Sequence, residues 1–123
     1  MCGIAGLANF SGDDVELADL KLMSSALVHR GPDGDGFYID GKVGFAHRRL
    51  AIIDPEGGAQ PMLNEERSVA VTYNGEIYNF KEIRRELSRE FHFRTQSDTE
   101  VLLRSFEKWG IACLGRFRGM FAC

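Results

Sequence analysis

The sequence predicts an α+β domain built on antiparallel strands, and three observations lead there. Apolar residues recur at helical spacing in three stretches: Leu17, Leu20, Met23 and Leu27; Phe80, Ile83, Leu87 and Phe91; and Val101, Leu102, Phe106 and Trp109. In residues 69–74, Val69, Val71 and Tyr73 alternate with Ala70, Thr72 and Asn74, the period of a strand. Asp40-Gly41, set between Phe37-Tyr38-Ile39 and Lys42-Val43-Gly44-Phe45, is a two-residue hairpin signal, and hairpins join antiparallel neighbours.

The 123 residues make a single domain, 1–123, long enough to bury a core. Hydrophobic residues at 44% and charged residues at 27% predict a soluble globular chain, and a net charge of −3 argues against a nucleic-acid partner. No apolar run approaches the ~20 residues of a membrane span, so no membrane partner is expected. The short apolar start lacks a basic flank and runs into Asp13-Asp14-Val15-Glu16, so no secretory signal is expected either. Cys2, Cys113 and Cys123 are odd in number and spaced neither as a disulfide framework nor as zinc pairs, which predicts a reducing, cytoplasmic setting. No cluster of His, Cys and Asp has ligand spacing, so no metal site is expected.

Taken in order, the run from Cys2 to Ala8 is dense in small residues and alternates poorly, as a strand buried on both faces does. Cys2 is either a small residue opening that strand or a nucleophile. Removal of Met1 would leave thiol and α-amine on one residue; such groups titrate near ~8.5 and ~7.7–8.0, so the amine can accept the thiol proton. The first helix follows and stops near Gly31-Pro32. His29 to Gly36, HRGPDGDG, is a tight ordered loop without the spacing of a phosphate-binding loop.

Beyond the hairpin, alternation sends Arg48 and Arg49 to opposite faces. Each is either a solvated charge or, on the covered face, a bidentate clamp for a carboxylate. The strand at 69–74 ends in Asn74-Gly75-Glu76, which is either a hairpin turn or a pair of donors for an oxyanion. Asn79 is a predicted N-cap with Glu82 at N3, and Ser97 with Glu100 has capping-box spacing. A short strand, His92-Phe93-Arg94, is expected between the second and third helices, and Gly110 is expected to close the third. Asp98 falls in that helix's first turn, where a carboxylate suits the dipole whether or not it binds a ligand. A helical turn and the start of a strand at Gly119-Met120-Phe121 complete the tail. His29, His47 and His92 are read as loop or turn hydrogen-bonding residues, none as a general base.

In this order, MCGIAG, HRGPDGDG, AHRRLAIID, GGAQPM, YNGEIYNF, TQSDTEVLL and RFRGMFA resemble the glutamine-hydrolysing domain of class II amidotransferases, in particular the asparagine synthetase branch. The resemblance covers essentially the whole chain. It implies an N-terminal nucleophile hydrolase fold, an αββα sandwich of antiparallel sheets, and hydrolysis of the glutamine amide through a thioester on Cys2. It implies Asn74 and Gly75 as the oxyanion hole and Arg49 as the clamp on the α-carboxylate. Glu76 and Asp98 would hold the α-ammonium, with Leu50, Ile52 and Ile53 as further substrate contacts.

The same resemblance implies L-glutamine as substrate and a synthetase domain, or a partner chain, that consumes the ammonia. No cofactor is expected in this chain; ATP and magnesium would belong to the synthetase domain. Family members continue past the Gly-Met-Phe-Ala segment with further strands, so the sandwich is expected to be incomplete at the C-terminus. An unfinished sheet edge is a route to a homo-oligomer. The competing expectation is a catalytically silent, truncated binding module.

Overall fold

The computed structural model describes residues 2–50 and 58–123. Within them the chain is α+β, and every strand pairing is antiparallel. Strand β1 (Gly3–Ala8) pairs with β3 (Val43–Arg49), which pairs with β2 (Gly34–Asp40), giving the order β1-β3-β2. The β2–β3 loop is Gly41-Lys42, between the paired Asp40 and Val43, one residue later than the hairpin signal suggested. Gly41 takes φ 52°, and a glycine fills that left-handed position without steric cost.

Helix α1 (Leu17–Ala26) covers this sheet. Leu20 is fully buried with Val15 and Ala46, and Ala5, Leu7, Met23 and Phe37 pack around them. Burying a leucine completely contributes about 1.5–3 kcal/mol. The expectation of a first strand buried on both faces is corrected: β1 is a sheet edge, Gly6 and Ala8 are exposed, and only one face packs on the core. Leu17, expected in the buried stripe of α1, is likewise exposed.

A second core forms where α2 (Phe80–Leu87) and α3 (Asp98–Trp109) pack on the pair β6 (Asn74–Ile77) and β7 (Gly119–Ala122). Tyr73, Ile77, Ile83, Leu87, Val101 and Leu102 are its buried members. Two short strands, β4 (Met62–Leu63) and β5 (Ala70–Val71), form a third pairing, and a 3-10 turn over Gly110–Arg116 leads from α3 to β7. Gly110 ends α3 with φ 57°. Among the described residues no helix is long and apolar enough to cross a membrane.

Two local departures from the sequence expectation have one cause: a side chain takes the backbone donor that a strand partner would otherwise receive. The alternating run at 69–74 is interrupted at Thr72-Tyr73, because the Tyr73 N–H donates to Gln60 Oε1 at 2.6 Å. Residues 92–94 form no strand, because the N–H groups of Arg94 and Thr95 donate to the Glu100 carboxylate at 2.7–3.1 Å. Glu100, 1% exposed, is thus turned onto the preceding loop, while Ser97 caps α3 through its hydroxyl and the Thr99 N–H. Asn79 stands at the start of α2 but caps nothing; it bonds the Arg116 carbonyl and the Arg118 N–H and so ties α2 to β7.

His47 on β3 is 1% exposed, with Nδ1 3.3 Å from Thr72 Oγ1 and Nε2 buried without a partner among the described residues. His29 and His92 are exposed. Burial, reinforced by the charge of Arg49, pushes the His47 imidazole down to about 4. Its folded value lies below the unfolded one, so the unfolded chain takes up a proton first as pH falls. Stability should therefore be unaffected by His47 above pH ~6.5 and decline by at most about 3 kcal/mol on going down to pH ~4. Urea unfolding at pH 7, 6, 5 and 4 measures this; His47→Gln is expected to flatten the slope, and an equal slope in both proteins refutes it.

Candidate active site

Cys2 lies just before β1, and the pairing of Gly3 with Arg48 sets it against the residues that end β3. The Leu50 N–H donates to the Cys2 sulfur at 3.3 Å, and Sγ lies 3.6 Å from the Leu50 carbonyl. From the loop after α1, Arg30 Nε donates to the Cys2 carbonyl at 3.1 Å. The sulfur is half-buried, whereas Cys113 is buried and Cys123 exposed.

Arg48 and Arg49 separate as alternation requires. Arg48 donates to the Gly31 carbonyl at 3.1 Å and to Asp35 at 3.3 Å, and Arg49 lines a cavity of about 200 Å³ with Cys2. Leu50, Asn74, Gly75, Glu76 and Asp98 line the same cavity. Seven of the nine residues singled out from the sequence therefore meet there; Ile52 and Ile53 lie outside the described residues.

Asn74-Gly75 is not a hairpin turn. It opens β6, with Asn74 opposite Ala122 and Gly75 opposite Phe121. A Cβ on Gly75 would stand 2.2 Å from the Met120 carbonyl oxygen and 2.5 Å from Phe121 Cα, so only glycine permits this approach of β6 to β7. Asn74 Oδ1 is buried without a hydrogen-bond partner among the described residues. Buried polar atoms are ordinarily satisfied, and an orphan on a cavity wall beside a cysteine is suited to a ligand.

Asp98 is 5% exposed at the first position of α3, where the helix dipole favours a carboxylate. Its Oδ2 accepts from the Tyr73 hydroxyl at 2.8 Å and from the Ile77 N–H at 3.1 Å. Burial, then the hydrogen bond to Asp98, raises the Tyr73 phenol far above its ordinary range, so it remains a donor at all working pH values. Tyr73, Gln60 and Thr99 also line the cavity and went unassigned in the sequence. Tyr73 was legible as a strand position and as the first residue of YNGEIYNF, Gln60 as part of GGAQPM and Thr99 as part of TQSDTEVLL, none with a role of its own. Among the described residues no group of three or more His, Cys, Asp or Glu side chains is placed to hold a metal.

One wall of the cavity thus carries a thiol and another an amide beside a strand-edge N–H. Among the described residues a guanidinium and two carboxylates also line it, a charge set that matches an amino-acid head group. Together with the α+β fold this defines an amidotransferase-type domain. The chain belongs to the glutamine amidotransferase domain family, whose model matches residues 1–123. It is similar to asparagine synthetase [glutamine-hydrolyzing] 1 of Bacillus subtilis (strain 168), 44% identical over 99% of this chain and 20% of that protein. Asparagine synthetase B [glutamine-hydrolyzing] of Escherichia coli (strain K12) is 41% identical over 99% of this chain and 22% of its own length. Asparagine synthetase [glutamine-hydrolyzing] 1 of Arabidopsis thaliana is 42% identical, with 99% and 21% covered. The chain spans about a fifth of the length of these curated relatives.

The close approach at Gly75 makes a prediction. Gly75→Ala should force β6 from β7 and destabilise the fold by about 1–3 kcal/mol, the usual range for overpacking. An unchanged urea midpoint would show that the two strands are not held this tightly.

Proposed function

We propose that this chain hydrolyses the side-chain amide of L-glutamine to glutamate and ammonia through a thioester on Cys2. The observation that carries the reading is the single cavity onto which Cys2, Asn74, Gly75, Arg49 and Asp98 all open. With Met1 removed, the α-amine of Cys2 takes the thiol proton and the sulfur attacks the amide carbonyl. The Asn74 side chain, its amide turned nitrogen inward, and the Gly75 N–H receive the oxyanion. The C–N bond then breaks, ammonia leaves with the proton held by the amine, and water cleaves the thioester to release glutamate and restore the thiol.

Binding follows from charge. Arg49 pairs with the α-carboxylate, helped by Leu50, Ile52 and Ile53, while Glu76 and Asp98 hold the α-ammonium. Asp98 uses Oδ2 for Tyr73 and Ile77, and among the described residues this leaves Oδ1 as the acceptor for substrate. The antiparallel pairings are compatible with an N-terminal nucleophile hydrolase sandwich. The relatives' names and lengths support a larger assembly in which a synthetase domain or partner chain takes the ammonia and supplies the ATP and magnesium chemistry. That assembly is cytoplasmic, this chain itself needs no cofactor, and it self-associates as a homo-oligomer.

Mass spectrometry and a glutamate-release assay on the same preparation test the reading. A chain lacking Met1 should release glutamate from glutamine, and Cys2→Ala should abolish release while glutamine still binds. Binding without release by the unaltered, processed chain would identify a catalytically silent module instead. Asn74→Ala is expected to lower kcat by ~10²–10³-fold, the cost of one oxyanion donor, with KM changed only a few-fold. Equal losses in binding and turnover would remove Asn74 from the oxyanion hole.

A further inference from the structure

Gln60 lies ahead of β4 and joins two arms of the cavity through its side chain. Its Oε1 accepts from the Tyr73 N–H at 2.6 Å, and its Nε2 donates to Thr99 Oγ1 at 3.4 Å. Tyr73 immediately precedes Asn74-Gly75, and Thr99 immediately follows Asp98. The Tyr73 hydroxyl closes the circuit on Asp98 Oδ2 at 2.8 Å. One amide therefore spans the backbone that presents the oxyanion donors and the helix start that presents the acid. Gln60, Tyr73 and Thr99 all line the cavity themselves.

We infer that Gln60 is a positioning residue that fixes the separation between the Asn74-Gly75 donors and the Asp98 carboxylate. It thereby sets the length of amino-acid amide whose carbonyl meets the Cys2 sulfur. This rests on the functional reading above, because a separation matters only to a substrate that is gripped at both ends. The physical basis is near-attack geometry: a substrate held by its head group but misplaced by about 1 Å at its amide loses roughly 10²-fold in rate. The effect falls on kcat, since Arg49, Glu76 and Asp98 keep their charges when Gln60 is changed.

The test measures kcat and KM for L-glutamine in the processed chain, in three single variants and in one double variant. Gln60→Leu removes both hydrogen bonds, and Thr99→Val removes only the acceptor at the far end while keeping side-chain shape. Gln60→Glu keeps the acceptor for the Tyr73 N–H. Gln60→Leu is expected to lower kcat about 10–100-fold with KM within threefold. Thr99→Val should lower kcat in the same manner but less, and Gln60→Glu should recover part of the loss. The double variant Gln60→Leu with Thr99→Val should be no worse than Gln60→Leu alone, since both cut one bridge.

Should Gln60→Leu fail to fold, Thr99→Val and Gln60→Glu still decide. A kcat within twofold of the unaltered chain in both, or a loss confined to KM, overturns the role of Gln60 and leaves the functional reading standing. Absence of glutamate release from the unaltered processed chain overturns that reading and the role of Gln60 with it.

Discussion

The register of β1 on β3 is the constraint on which the rest of the site depends. Gly3 opposite Arg48 brings the Cys2 sulfur within hydrogen-bonding distance of the Leu50 N–H, beside Arg49. A slip of one residue would turn every side chain of β1 to the other face and carry Cys2 away from the cavity. Such a slip is resisted by packing, because Ala5 and Leu7 must meet Val15, Leu20 and Ala46 on the side covered by α1. Arg30 adds a second tie by holding the Cys2 carbonyl. Cys2 is thus placed by a hydrophobic core that contains none of the residues lining the cavity.

The opposite wall is built differently, by side chains that capture backbone donors. Gln60 takes the Tyr73 N–H and Asp98 takes the Ile77 N–H, while outside the cavity Glu100 takes those of Arg94 and Thr95 in the loop ahead of α3. Each capture satisfies a backbone donor with a side chain and gives the segment a fixed shape. The bonds to the Asp98 and Glu100 carboxylates are charge-assisted and contribute about 1.5–3 kcal/mol each, more than a neutral ladder bond, whereas that to Gln60 is neutral. Asp98 emerges with one oxygen committed to the protein and its position set from β6 and from α3 at once.

Electrostatics in the cavity are kept simple by burial. Tyr73 stays protonated and His47 stays neutral through the working range, so the guanidinium of Arg49 is not joined by a second cation from beneath the sheet. Among the described residues, one positive side chain and two carboxylates line the cavity with a thiol and two side-chain amides.

The sequence by itself determined the pieces whose logic is local. Helical periodicity gave α1, α2 and α3, alternation parted Arg48 from Arg49, and Ser97 marked the start of α3 with Asp98 in its first turn. The short motifs also pointed to the positions that meet in the cavity, since each wall is contributed by one contiguous stretch. Tertiary structure alone decided that Asn74-Gly75 opens a strand rather than turning a hairpin, because its partners at Phe121 and Ala122 lie at the far end of the chain. It alone revealed the circuit of Gln60, Tyr73, Asp98 and Thr99, whose members bond across 13 to 39 residues of sequence. Periodicity reports which face of one element is buried; it carries no information about which distant side chain will take a particular N–H, and in this fold that choice shapes the site.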